Sequence, residues 1–166
     1  MRDDLLRGLH EDLPSFLDYR IQNEAHSNFN TPPVFAIYVT LLVTHWLINE
    51  IGGLSHMHER NLNKAELIYG LLDRSDTFYR GRAELLDRSM MNVVFNMATP
   101  EMETQFLKEA LAAVFFGLSG HRTIGGIRAS IYDAVTVPAA EKLVDFMEDY
   151  WFRHTGGTHA SRTYYV

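Results

Sequence analysis

The chain has 166 residues, 46% of them hydrophobic, which is enough for one substantial core or two small ones. Its formal net charge of −6 argues against a general nucleic-acid or membrane-surface binder, because both need an extended basic face. The absence of cysteine excludes disulfides, thiolate metal sites and a thiol nucleophile.

The N-terminal residues are polar where a secretory signal peptide would be apolar. Asp3 and Asp4 fall within the first six residues, where such a peptide would carry an uncharged apolar run. The lack of cysteine is also compatible with a reducing compartment. We therefore expect a cytoplasmic protein.

The first strongly apolar element lies between Val34 and Ile48. No charged side chain interrupts residues 25–49. A membrane-spanning helix needs about 20 apolar residues, and this run is shorter and contains His45 near its end. We therefore expect a buried helix and no membrane span. Thr31 is the expected N-cap, and Gly52-Gly53 the expected stop.

The elements that follow alternate in type. Apolar residues recur at helical spacing from Leu54 to Leu72 and predict a long amphipathic helix that ends between residues 73 and 76. Residues 80–88 are charged and predict a loop. The remaining elements are predicted as a strand over 91–97, a helix from Thr99 to about Gly117, a strand over 127–132 and a helix from Thr136 to Trp151. This order predicts a small two-layer α/β unit.

The segment Gly120–Tyr132 places His121, Arg122 and Arg128 around a glycine turn. A guanidinium group matches a carboxylate or phosphate with two parallel hydrogen bonds, and glycine lets the backbone approach a ligand closely. Side chains alternate along a strand, so Ile127 and every second residue after it should face the core while Arg128 faces away. The pattern predicts an anion site.

Two histidines on the predicted long helix, His56 and His58, lie beside Glu59 and invite a metal-site interpretation. Neighbours on one helix face are three or four residues apart, so these two histidines point to different sides. We interpret them as part of a solvated helix face and predict no metal site.

Three segments in order and spacing resemble the phosphoserine aminotransferase family, which consists of fold-type-I, class-V aminotransferases. They are Asn-Thr-Pro-Pro-Val-Phe-Ala-Ile-Tyr at 30–38, Arg-Ser-Met-Met-Asn-Val at 88–93, and the anion segment at 120–132. The resemblance runs from residue 1 to about residue 154. It implies the C-terminal part of such an enzyme, with a long connecting helix and a two-layer small domain of α+β type.

The resemblance implies a pyridoxal phosphate enzyme that moves an amino group between glutamate and 3-phosphohydroxypyruvate, giving phosphoserine in serine biosynthesis. Such enzymes are dimers with shared active sites. By position, Asn30 and Thr31 match residues that bind the phosphate of the neighbouring subunit's cofactor. His121 and Arg122 match residues that hold the substrate phosphate, and Arg128 matches the residue that holds its α-carboxylate. Two cationic anchors suit a substrate that is anionic at both ends.

The family's catalytic lysine, which holds the cofactor as a Schiff base, lies upstream of the stretch that Met1 begins. The lysines of this chain are Lys64, Lys108 and Lys142. All three fall in amphipathic helical patterns where we expect solvent-facing surroundings, and such surroundings do not lower a lysine pKa. We therefore predict no catalytic residue in the chain and no activity of the chain alone.

The resemblance divides the chain into four parts. These are a remnant of the large cofactor-binding domain (1–53), a connecting helix and loop (54–88), a small C-terminal domain (89–154) and a tail that we expect to be disordered (155–166). Asp133 stands where the family usually has asparagine, and we expect its charge to weaken anion binding near the arginine strand.

Two hypotheses follow. In the first, the chain is part of a transaminase that works as a homodimer or with a full-length subunit, and its chemistry needs the missing half. In the second, it is a non-catalytic module that binds a phosphorylated metabolite or pairs with a full-length subunit. In both, the helix over Val34–Ile48 lacks the large domain on which it would normally pack, so we expect an exposed apolar patch.

Overall fold

The computed structural model describes residues 3–8, 10 and 12–156. The chain divides into two compact units, Met1–Trp46 and Leu47–Val166, each described here by itself. The predicted disorder of the tail falls on residues 157–166, which lie outside the described residues. Thr155 is helical, so that part of the tail prediction is wrong. The predicted domain boundaries at 53, 88 and 154 stay predictions.

The described residues of the first unit contain three helices, α1 (Asp3–Arg7), α2 (Tyr19–Glu24) and α3 (Val34–Trp46). Asp18 caps α2, since its side chain accepts a hydrogen bond from the Arg20 N–H at 2.9 Å. The Arg20 guanidinium also lies 2.9 Å from this carboxylate. Hydrogen bonding to this arginine holds the pKa of Asp18 below its usual value.

Helix α3 begins later than predicted. The first helical hydrogen bond runs from the Ile37 N–H to the Pro33 carbonyl at 3.0 Å, so Thr31 is not the N-cap. None of the residues of α3 is buried. The prediction of a buried helix is therefore wrong for the chain as described, and the expected apolar exposure is confirmed.

The described residues include one helical run, Val34–Ile51, that is long and apolar enough to cross a membrane by length and composition. It has 18 residues and a mean hydropathy of 1.6. Our argument that this run is too short for a span is therefore wrong, because a π-helical turn at Leu47–Ile51 lengthens it. Core helices of soluble proteins meet the same two criteria.

The second unit continues from that turn into α4 (Leu54–Arg74), the predicted long helix. Gly52 and Gly53 separate the two elements and have φ angles of 91° and 102°, in a region that only glycine enters readily. The predicted stop at these glycines is confirmed. Helix α4 ends at Arg74, within the predicted range of residues 73–76, so the predicted end is confirmed.

Four strands form one antiparallel sheet in the order β1-β2-β4-β3. They are β1 (Arg80–Gly81), β2 (Asn92–Asn96), β3 (Ser119–His121) and β4 (Gly125–Ser130). The loop predicted over residues 80–88 is wrong in part, because it contains β1 and a 3-10 turn at Leu85–Asp87. Two strand residues are too few for alternation to be visible in sequence.

The described part of this unit contains two further helices, α5 (Pro100–Ala112) and α6 (Val137–Thr155). Both start where predicted, because the hydroxyls of Thr99 and Thr136 each accept an N–H from the first turn at 3.3 Å. Helix α5 ends at Ala112, before the predicted Gly117.

The core of the second unit lies between one face of the sheet and helices α4, α5 and α6. Ile127 and Ala129 of β4 and Ile131 just after it enter this core, since they are 0%, 1% and 3% exposed. The other face, here called the open face, carries half-buried side chains at Asn92, Val94, Asn96, Arg128 and Ser130. The predicted two-layer arrangement of sheet and helices is confirmed.

Candidate anion-binding site

The predicted anion-binding residues of the second unit lie on the β3–β4 hairpin. His121 at the end of β3 pairs with Gly125 at the start of β4. The Ile124 N–H donates to the His121 carbonyl at 3.0 Å and closes the turn. Arg122 lies in this turn and is exposed to solvent. The hairpin therefore presents His121 and Arg122 together at its tip.

Glycine is required at two positions of this hairpin. A Cβ atom at Gly120 would lie 2.1 Å from the carbonyl oxygen of Gly125, closer than real Cβ contacts allow. Gly126 has a φ of 76°, and a Cβ there would lie 2.8 Å from Nδ2 of Asn96. Because both backbones approach so closely, side chains at these positions would force the hairpin open.

His121 has a defined hydrogen-bonding role within the turn. Its Nδ1 accepts the Thr123 N–H at 3.2 Å. In a neutral imidazole that accepts through Nδ1, the proton sits on Nε2. Nε2 is thus the donor that the exposed ring of His121 offers to an anion.

Arg128 faces away from the core, as alternation along the strand predicts. Its backbone N–H donates to the Leu118 carbonyl at 2.8 Å, and its side chain lies on the open face. The Nε atom is buried and has no hydrogen-bond partner among the described residues. Buried donors are normally hydrogen-bonded. Arg128 therefore has a donor that no acceptor among the described residues satisfies.

The three candidate anion-binding residues His121, Arg122 and Arg128 occupy two levels of the hairpin. Arg128 is opposite Leu118, whereas His121 is three residues further along β3. At about 3.3 Å per residue, the backbone separation is about 10 Å. Such spacing suits two separate anionic groups better than a single one.

Asn30 and Thr31 lie in the other compact unit, just before α3, and both are exposed. The hydroxyl of Thr31 is not used as a helix cap. Their role at a cofactor phosphate stays a prediction.

Sequence reasoning missed a polar network beside Arg128. Oδ1 of Asn92 accepts hydrogen bonds from the Ser130 hydroxyl at 3.0 Å and the Tyr132 hydroxyl at 3.3 Å. Alternation does place Ser130 and Tyr132 on the face of Arg128. The third member, Asn92, follows only from the pairing of β2 with β4, in which Asn92 is opposite Ser130.

The structure contradicts our expectation for Lys64, which is 1% exposed rather than solvent-facing. Its Nζ donates to the carbonyls of Ile131 at 2.9 Å and Tyr132 at 2.8 Å. Burial lowers the pKa of Lys64, and the nearby Asp133 opposes that shift. Lys108 and Lys142 are exposed, as predicted. The helical pattern gave the wrong expectation because Lys64 lies three residues after the buried Asn61 and four before the buried Ile68, on the packed face of α4.

Asp133 is held by α4. Its Oδ1 accepts a hydrogen bond from Nδ2 of Asn61 at 2.7 Å, and its charge acts on Lys64. The negative charge that we expected to oppose anion binding is therefore partly balanced by a buried lysine.

Comparison with known proteins decides the family. The family described as aminotransferase class-V matches residues 4–143. This chain belongs to the class-V aminotransferases. The resemblance and the fold class predicted from the three sequence motifs are thereby confirmed.

Three similar proteins are all named phosphoserine aminotransferase, and the two solved structures among them share the fold of this chain. The phosphoserine aminotransferase of Halalkalibacterium halodurans is 47% identical over 154 residues, which are 93% of this chain and 42% of that protein. The structure of phosphoserine aminotransferase from Bacillus circulans subsp. alkalophilus has a TM-score of 0.82 and 42% identity, covering 93% of this chain and 42% of that one. A PLP-bound phosphoserine aminotransferase from Trichomonas vaginalis has a TM-score of 0.75 and 33% identity, covering 89% and 42%. The chain thus spans about 42% of the length of these relatives.

Proposed function

We propose that the chain supplies the residues that bind the anionic groups of the substrate in a phosphoserine aminotransferase. Such an enzyme moves an amino group between glutamate and 3-phosphohydroxypyruvate. The main support for this proposal is Arg128 on the open face, because its Nε is buried and has no hydrogen-bond partner among the described residues. The 47% identity to a phosphoserine aminotransferase supports the same substrate class.

In this proposal Arg128 holds the α-carboxylate, and His121 with Arg122 holds the phosphate. A guanidinium group binds either anion through parallel, charge-assisted hydrogen bonds. Anchoring both ends fixes the position of the reacting carbon between them and removes most of its freedom of orientation. A substrate with an anionic group at only one end has only one anchor, so this arrangement selects substrates that are anionic at both ends, as glutamate and 3-phosphohydroxypyruvate are.

The residues of this chain do not fit a complete pyridoxal phosphate site. The Nζ of Lys64 is buried against two carbonyls, and Lys108 and Lys142 are exposed on helices, outside the buried surroundings that a Schiff-base lysine needs. When bound, the cofactor supplies the electron sink for amino transfer. The exposed side chains of Asn30 and Thr31 are suited to donate to its phosphate, but the lysine must come from residues outside this chain. We propose that the chain alone is inactive.

The exposed surface of α3 supports assembly with a further polypeptide. Its large apolar side chains are 39% to 79% exposed, at Val34, Phe35, Ile37, Tyr38, Val39, Leu41, Leu42 and Val43. Exposed apolar patches of this kind mark interaction surfaces. We propose a cytoplasmic homodimer or a pair with a full-length subunit, with no role for a membrane or nucleic acid. The same surface favours our second candidate, a non-catalytic subunit-pairing module.

Titration and absorbance of the purified chain test the proposal. We expect no absorbance band of lysine-bound cofactor and no transamination when pyridoxal phosphate is added. Calorimetry should detect phosphoserine binding that weakens in Arg128→Ala and is unchanged in the surface control Lys108→Ala. Turnover by this chain alone would contradict our proposal that the Schiff-base lysine lies outside this chain. Absence of phosphoserine binding would contradict the proposed role of His121, Arg122 and Arg128 in binding the substrate.

A second experiment separates the two candidates. The chain is added to a full-length phosphoserine aminotransferase, and transamination is followed. Altered activity supports the subunit-pairing module, whereas unchanged activity excludes it.

A further inference from the structure

Arg82 follows β1 and extends its pairing with β2. The Arg82 N–H donates to the Val94 carbonyl at 3.1 Å. Val94 in turn pairs with Arg128 on β4. Arg82 and Arg128 therefore lie in one row across the sheet, on either side of Val94. No sequence motif predicts this arrangement.

The side chain of Arg82 reaches the tip of the β3–β4 hairpin. Its Nη1 donates to the Ile124 carbonyl at 3.4 Å, across 42 residues of sequence. Ile124 belongs to the turn that carries His121 and Arg122, and its own N–H closes that turn. The Arg82 side chain thus restrains the turn that presents His121 and Arg122.

We propose that Arg82 is a positioning residue for the anion site and that it raises the preference of the site for a dianionic phosphate over a carboxylate. This inference rests on the proposed function. The hydrogen bond to Ile124 restrains the hairpin tip, and the guanidinium adds a second positive charge beside that of Arg122. Because Arg82 is exposed and its field is screened by salt, it modulates affinity and is not required for binding.

Arg80, two residues earlier in the chain, offers a matched control. It carries the same charge and is also exposed, but its Nε donates to the Thr77 carbonyl at 3.2 Å. Replacing either arginine by glutamine removes one positive charge from the same region. Only Arg82→Gln alters the contact with Ile124.

The test is calorimetric titration of the full chain with phosphoserine, inorganic phosphate and serine. We expect Arg82→Gln to bind phosphoserine and phosphate about fivefold more weakly, with serine unaffected, in line with the modest strength of exposed charged contacts. Arg82→Lys should recover most of the affinity, and Arg80→Gln should match the parent. Hydrogen exchange at the Ile124 amide, measured without ligand, should be faster in Arg82→Gln only.

The outcomes separate this inference from the proposed function. If the parent binds phosphoserine and Arg82→Gln binds it equally well, the inference fails and the proposed function stands. Equal losses of phosphoserine affinity in Arg82→Gln and Arg80→Gln would show that the effect depends on net charge alone. That result would also overturn the inference. If the parent binds neither phosphoserine nor phosphate, both fail.

Discussion

The ammonium group of Lys64 donates to the main-chain carbonyl of Ile131 at 2.9 Å, joining residues 67 positions apart. The bond connects α4 to the end of the strand that carries Arg128. A second bond to the Tyr132 carbonyl makes the buried ammonium a bridge between the long helix and the sheet. These two hydrogen bonds therefore help to fix the position of β4, which carries Arg128, relative to α4.

Replacing that lysine should destabilise the chain. Lys64→Met removes the donor of two carbonyls, and a buried acceptor without a partner costs about 1–3 kcal/mol. We expect the free energy of unfolding to fall by about 2–4 kcal/mol in urea titrations, since methionine keeps much of the packing. Lys108→Met, at an exposed position on a helix, should change it by less than about 0.5 kcal/mol. Equal stability of the two variants would show that the bridge is unimportant.

The ion pair between Asp73 and Arg88 should make stability depend on acid pH. Nη1 of Arg88 donates to Asp73 at 2.7 Å and holds the pKa of that carboxyl below its usual 3.8. A carboxyl with a depressed folded pKa contributes stability above the unfolded value, and this is lost as pH falls through the folded value. Asp73 is half exposed, so the contribution should be under about 1 kcal/mol.

Asp73→Asn tests this dependence. At neutral pH the variant should be slightly less stable than the parent, and the difference should disappear below the folded pKa of Asp73. Asp87→Asn removes a nearby exposed charge and serves as the control. A difference between parent and Asp73→Asn that stayed constant from neutral to strongly acidic pH would contradict the linkage.

Alanine at Gly120 should disrupt the anion hairpin. The added Cβ would lie 2.1 Å from the Gly125 carbonyl oxygen, so the strands must separate. Overpacking and backbone shifts typically cost about 1–3 kcal/mol, and phosphoserine binding should weaken in parallel. Unfolding and calorimetry measure the two effects.

Gly70 provides the opposite case. It lies inside α4, where a Cβ would meet only Nη1 of Arg74 at an ordinary 3.7 Å. Gly70→Ala should stabilise the chain by about 0.5–1 kcal/mol through helix propensity, without altering binding. If Gly120→Ala behaved like Gly70→Ala, the close approach in the hairpin would be wrong.

The exposed face of α3 should cause self-association. Phe35 is 79% exposed among other large apolar side chains on this helix. We expect sedimentation velocity to show dimers or larger species for the parent and a shift toward monomer for Phe35→Glu. Leu86→Glu, at a position 97% exposed on the 3-10 turn, should leave the distribution unchanged. A monodisperse parent monomer would refute this expectation.

The sequence correctly predicted the starts of α5 and α6 and the direction of strand side chains, because these features depend on residues that are close together in the chain. Thr99 and Thr136 cap their helices because a hydroxyl reaches an N–H three residues on. Arg128 faces away from the core because side chains alternate along any strand. The same rules failed at Thr31, where two prolines delay the start of α3, and at Arg80–Gly81, where the strand is too short to show a period.

Taken alone, the sequence determined the family, the long helix, the two-layer unit and the outward direction of Arg128, because each rests on local chemistry or on ordered motifs. Only the tertiary structure decided that Lys64 is buried against the end of β4, that Asn92 lies beside Ser130 and that Arg82 holds the turn of His121 and Arg122. Those contacts join residues 38 to 68 positions apart. Strand register and helix packing set such distances, and neither can be read from the pattern of one segment.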